Sequence, residues 1–143
     1  MPYEYLDDVA IADVAFRAWG ADLAEVFRAA WEATLAVMVS NPEAVALRET
    51  RTFTLENDAL DMLLFNFLQE AIYLKDAEQL LLHVESLEVF AEGNGHCLHA
   101  VAAGEQLDPD RHEQVVDVKA VTLYDFQLKP TDHGWQATVV LDI

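Results

Sequence analysis

The chain has 143 residues, with 26 Asp plus Glu against 8 Lys plus Arg, a formal net charge of -18 and a pI near 4.3. That balance disfavours direct, unassisted binding to a phosphate backbone, whose affinity comes largely from basic side chains that release counterions. It favours a cation, a basic protein partner, or plain solubility. The length suits one domain over 1–143, able to bury roughly 68–70% of its unfolded surface. Cys97 is the single cysteine, so an internal disulfide is excluded. Met1-Pro2 leads into YEYLDD without a basic or apolar leader, and no apolar run is long enough to span a bilayer. A cytoplasmic protein without membrane contact is expected.

In chain order, Asp13–Trp19 alternates as a strand. Leu23, Val26, Phe27, Ala30, Trp31, Thr34 and Met38 then recur at three- and four-residue steps, predicting a helix over 22–40. Asp22 and Glu25 favour its start, and Asn41-Pro42 ends it. The segment 46–55 alternates again, with Leu47, Glu49, Arg51, Phe53 and Leu55 on one face; neither face is wholly apolar, which predicts a strand near a sheet edge. A second helix is predicted over 58–75, with Asn57 or Asp58 as its cap. Strands follow over 81–91 and 96–103 around a Gly93-Asn94-Gly95 turn, then over 114–129, and finally over 135–143 after the turn at 131–134. Strands around two segregated helices give an α+β fold, two-layered, with both helices on one face of a largely antiparallel sheet.

The densest set of potential ligands is Asp108-Pro109-Asp110-Arg111-His112. Asp-Pro-Asp reads first as turn chemistry, since Pro fixes φ and Asp oxygens bond nearby amides; direct metal binding is the weaker reading. His96-Cys97-x-His99 is weaker still, because alternation puts neighbouring residues on opposite faces. No nucleophile elbow, P-loop or zinc-protease motif occurs, so no catalytic residue is assigned. Asp13 opens one strand and Asp142 interrupts the apolar last one, next to Ile143. If first and last strands are neighbours, these carboxylates converge, and a hard divalent cation would stabilise them. Sequence alone leaves that adjacency open.

Several segments together resemble the archease family. They are Tyr3–Leu6 (YEYL), Asp13–Gly20 (DVAFRAWG), Gly104–His112 (GEQLDPDRH), Val118–Thr122 (VKAVT) and Trp135–Ile143 (WQATVVLDI). The resemblance implies a small cytosolic protein that is not itself an enzyme. Such a protein activates an RtcB-type RNA ligase, promoting its guanylylation and multiple turnover in tRNA splicing or RNA repair, and meets RNA only through the ligase. It also implies a divalent-metal site at Asp13 and Asp142 with Ile143 close by, and a functional surface that includes Lys119, with Asp8, Asp108 and His112 as further candidates. The ion expected is Ca²⁺ in isolation, with Mg²⁺ or Mn²⁺ as alternatives. Two departures stand out: many members carry His-Thr-Ala-Asp where this chain has Ala10-Ile11-Ala12-Asp13, and a histidine where Tyr124 stands. Asp7 or Asp8 could supply a compensating oxygen. The other readings are a metal-dependent phosphoryl-transfer enzyme with Lys119 as electrophile, and a chaperone or modulator of another RNA-processing enzyme.

Overall fold

The computed structural model describes residues 2–6 and 13–143. Its elements are β1 (Tyr3–Leu6), β2 (Asp13–Gly20), α1 (Leu23–Met38), β3 (Glu49–Asn57), α2 (Leu60–Glu78), β4 (Leu80–Glu92), β5 (Gly95–Gln106), β6 (Ala120–Thr131) and β7 (Gly134–Asp142), with a 3-10 turn at Pro42–Ala44. The fold is α+β. The strands divide into two antiparallel sheets, ordered β1-β2-β7-β6 and β3-β5-β4. Among the described residues, no helix is long and apolar enough to cross a membrane.

Local chemistry explains most boundaries. Asp22 caps α1 by accepting the Glu25 backbone N–H at 2.9 Å, satisfying one of the donors a helix start leaves open. α2 begins at Leu60, and its N-cap, Ala59, supplies no side-chain bond. Asn57 instead accepts the Ala59 N–H at 2.9 Å, holding the turn before the helix rather than its end. Gln79, at φ 54 in the left-handed region, stops α2. β3 lies at a sheet edge as its mixed faces predict, with Phe53 and Leu55 turned to the core.

α1 packs on both sheets, lining up Phe27 and Trp31 with Phe67 of α2; the Trp31 and Phe67 ring centroids are 4.7 Å apart. The Trp31 indole N–H donates to the Leu82 carbonyl at 2.7 Å, so its burial leaves no donor unmet. In the first sheet Val14, Phe16 and Ala18 of β2 and Ala137, Val139 and Leu141 of β7 face this core. By strand alternation Asp13 and Asp142 face the other way.

The strand expected over 114–129 forms only from Ala120. Residues 107–119 instead stitch element ends together. Leu107 N–H donates to the Gln79 carbonyl at 2.7 Å, Val115 N–H to Met38 at 3.0 Å and Lys119 N–H to Asp142 at 2.8 Å. The alternating valines therefore mark one buried residue, Val118, in an irregular segment whose backbone bonds go to helix and strand ends.

Candidate functional site

Pairing within the first sheet brings the two aspartates together. β2 and β7 run antiparallel in unbroken register, and Asp13 lies directly opposite Asp142. Directly opposed residues share a sheet face with Cβ atoms roughly 4.5–5.5 Å apart. Both residues are half-buried, and Ile143 follows immediately, packed against the core. β6 adds the third side of this sheet end, with Ala120 opposite Asp142 and the Lys119 N–H bonded to the Asp142 carbonyl. Like charges directly opposite on one face are destabilising, and a cation with oxygen ligands removes that cost. The donor chemistry therefore fits a hard divalent cation.

Lys119 reaches this end through its backbone. Among the described residues, no ion pair joins it to Asp13 or Asp142. Its charge acts on Asp117, whose carboxyl is held below the usual range first by a hydrogen bond from Lys75 and additionally by Lys119. Burial pulls the Lys75 ammonium down, but bonds to Asp117 and Asp76 outweigh it and its pKa is raised. Lys75 and Asp117 lie far apart in the chain and share no motif, so nothing in the sequence marks them as a pair. Asp7 and Asp8 lie outside the described residues.

The Gly104–His112 motif has a different use. Gly104 sits where β5 crosses so close to β4 that an added Cβ would lie 1.8 Å from the Leu81 carbonyl oxygen. Glu105 is buried and accepts from the Arg111 guanidinium, from the Ala46 N–H at 2.8 Å and from His112 Nε2 at 2.8 Å, with Arg48 at 3.4 Å. Hydrogen bonding from Arg111, opposed by burial and reinforced by Ala46 and His112, brings the Glu105 carboxyl down to about 2. His112 is 2% exposed, and its Nδ1 accepts the Asp108 N–H at 2.8 Å. That bond assigns the ring proton to Nε2, which donates to Glu105. Asp108 in turn accepts the Asp110 N–H at 2.9 Å. His112 is thus a loop-fixing residue inside the fold and not part of an accessible surface, because both ring nitrogens are consumed. Asp108 uses Oδ1 within its own turn, as its Asp-Pro-Asp sequence predicts.

Two other features have the form of a site. Glu56, Glu92 and Cys97 place ligand atoms within 4.8 Å of one another on the second sheet. Burial, then Glu92 and Glu56, pushes the Cys97 thiol up, so without a cation the thiol keeps its proton. A groove of about 730 Å³ runs beside α1, walled by Tyr3, Trp19, Trp135 and the His83–Glu32 pair. Its Trp19–Gly20 end lies roughly 23 Å along β2 from Asp13, at about 3.3 Å per residue.

Comparison with known proteins agrees with this architecture over its whole length. The family model described as "Archease protein family (MTH1598/TM1083)" matches residues 3–143. The chain belongs to the archease family. It is 36% identical over 133 residues to "Protein archease" of Pyrococcus abyssi, covering 92% of this chain and 93% of that one. It is 35% identical over 142 residues to the Methanosarcina acetivorans protein of the same name, covering 99% and 95%. The solution structure of Methanobacterium thermoautotrophicum protein 1598 superposes with a TM-score of 0.86 at 30% identity, covering 99% of each chain. The Thermotoga maritima crystal structure, described as an archease and possible chaperone, superposes at 0.60 with 15% identity over 98% of this chain and 100% of that one, a likeness of fold alone.

Proposed function

We propose that this archease is a non-catalytic protein cofactor of an RtcB-type RNA ligase, promoting the ligase's guanylylation and multiple turnover in tRNA splicing or RNA repair in the cytoplasm. The observation that supports this reading is the register of β2 on β7, which sets Asp13 against Asp142 on the face turned away from the helices. Asp13 and Asp142, with Ile143 close by, would hold a divalent cation, Ca²⁺ in isolation with Mg²⁺ or Mn²⁺ able to replace it. When bound, that ion supplies concentrated positive charge at the end of the sheet. The chain's own residues do the rest. The two aspartates would bind and orient, and Lys119, whose backbone N–H is bonded to the Asp142 carbonyl, would offer its ammonium to a phosphate of the partner. The charge of -18 suits a partner with a basic groove and keeps RNA contact on the ligase's side.

The test is a ligation assay with the RtcB-type ligase of the same organism, GTP and Mn²⁺. Without this protein ligation stops after about one turnover per ligase, and with it ligation continues; equal progress in both arms defeats the proposal. A second reading, a chaperone, draws on the description of the Thermotoga protein and on the apolar groove beside α1. It predicts suppression of ligase aggregation on heating with no change in guanylylation rate. Metal-dependent cleavage of a small phosphoester by the purified protein would instead favour the enzyme reading.

A further inference from the structure

β6 pairs with β7 from Ala120 to Thr122, then loses register and resumes at Gln127 opposite Thr138. Leu123, Tyr124, Asp125 and Phe126 therefore all stand against Val139, forming a wide bulge on the sheet's edge strand. Asp125 sits at φ 52, a left-handed conformation that a residue with a Cβ holds under strain. The bulge is anchored on both sides. Before it, the Val121 N–H donates to Gln69 of α2 at 2.9 Å; at its far end, the bulge's own Phe126 meets Phe65 of α2 edge-on, with centroids 5.6 Å apart. Between these anchors Leu123 is 64% and Tyr124 60% exposed.

We propose that this bulge is a docking knob, whose Leu123 and Tyr124 enter an apolar pocket rimmed by Lys or Arg on a protein partner. The proposal rests on the function proposed above, the partner being the ligase. A bulge on an edge strand blunts unwanted strand pairing by itself, and Lys129 and Pro130 on the same strand add charge and proline to that end. That purpose does not call for a leucine and a tyrosine held outward from a fixed base. The rim is argued from charge. Asp125 lies within the bulge and Asp142 is opposite Ala120, roughly 10 Å back along the strand, while Asp117 on the approach to β6 is already paired with Lys75. A basic partner surface complements Asp125 and the acidic chain as a whole, and one that covers the bulge also reaches the Asp13–Asp142 end.

The experiment measures Kd for the RtcB-type ligase of the same organism at low and high salt, with wild-type protein, the Leu123→Ser/Tyr124→Ser double variant and Tyr124→Phe. Melting temperature is read in parallel. The double variant is expected to raise Kd roughly tenfold or more. Its salt dependence and melting temperature should stay as in wild type, and Tyr124→Phe should remain within about threefold of wild type. Unchanged affinity of the double variant, with wild type still binding and activating, removes the knob and leaves the proposed function intact. Self-association of the double variant without loss of ligase affinity would make the bulge an edge guard and overturn the proposal, as would a wild-type dimer that the substitutions dissolve. A fall in melting temperature would make both side chains structural and would overturn it as well. If wild type binds no ligase, the proposed function fails and this partner with it.

Discussion

Glu105 and the Asp13–Asp142 pair carry the same chemical group into opposite surroundings. Glu105 is buried among an arginine, a backbone amide and a histidine, with a second arginine nearby, and each of its oxygens has donors. Asp13 and Asp142 face each other across a strand pair on the side away from the helices. In the first region the charge is used up in folding, since it clamps the 107–112 loop to the segment entering β3. In the second, two like charges are held together by the pairing of β2 with β7, at a cost that a cation, if bound there, would offset. The contrast explains why the densest ligand-like motif in the sequence is structural, while the sparse pair is the better candidate for function.

The largest effect that tests this contrast is on stability at the clamp. His112→Ala removes a fully buried ring, leaves the Asp108 amide unpaired and deprives Glu105 of a donor. It is expected to cost about 2–4 kcal/mol in urea unfolding. A loss under about 1 kcal/mol would mean that the loop is held by other contacts.

At the other region the effect should fall on activity. Asp13→Ala, Asp142→Ala and Lys119→Ala are each expected to reduce stimulation of guanylate transfer by tenfold or more, about 1.4 kcal/mol. For the two aspartate variants, melting should stay unchanged or rise, because one of two opposed charges is gone. Full stimulation by both aspartate variants would reject the metal-site mechanism.

A pH titration sharpens the same comparison. The folded Glu105 carboxyl is lowered to about 2, so its contribution to stability is present above the ordinary carboxylate range and is lost as pH falls from about 4.5 towards 2. Glu105→Gln should flatten the fall of melting temperature over that window, and a parallel acid profile in both proteins would contradict the assignment. His83 works with the opposite sign. Its bond to Glu32 raises its pKa against the opposing pull of burial, so its contribution is full below about 6.5 and fades as pH rises through the raised folded value. The smallest effect belongs to the Lys75–Asp117 pair, where Asp117 is largely exposed. Asp117→Asn should change stability by under about 1 kcal/mol.

Much of the fold was legible because its signals are local. The spacing of Val26, Phe27, Ala30 and Trp31 and the Asp22 cap place α1, since a helix is decided within a few residues of itself. The mixed faces of β3 foretold an edge position, and the Gly93–Gly95 turn foretold the β4–β5 hairpin. Residues 114–119 misled, because Val116 and Val118 alternate as in a strand while their segment's backbone partners are supplied by distant element ends. The β6 bulge left no local signal apart from a departure from the family's pattern at Tyr124.

The sequence by itself determined that this is an acidic α+β chain of the archease type, with two amphipathic helices and candidate carboxylates at Asp13 and Asp142. The acidity, the fold class and the helices follow from composition and short-range periodicity, whereas the archease type and the role given to the two aspartates follow from the motifs that resemble that family. Only the tertiary structure decided that Asp13 and Asp142 are partners, that His112 is interior and that Leu123 and Tyr124 project. Each of these depends on pairing between segments far apart in the chain, and such pairing is selected by the packing of the whole core rather than by any residue's own neighbours.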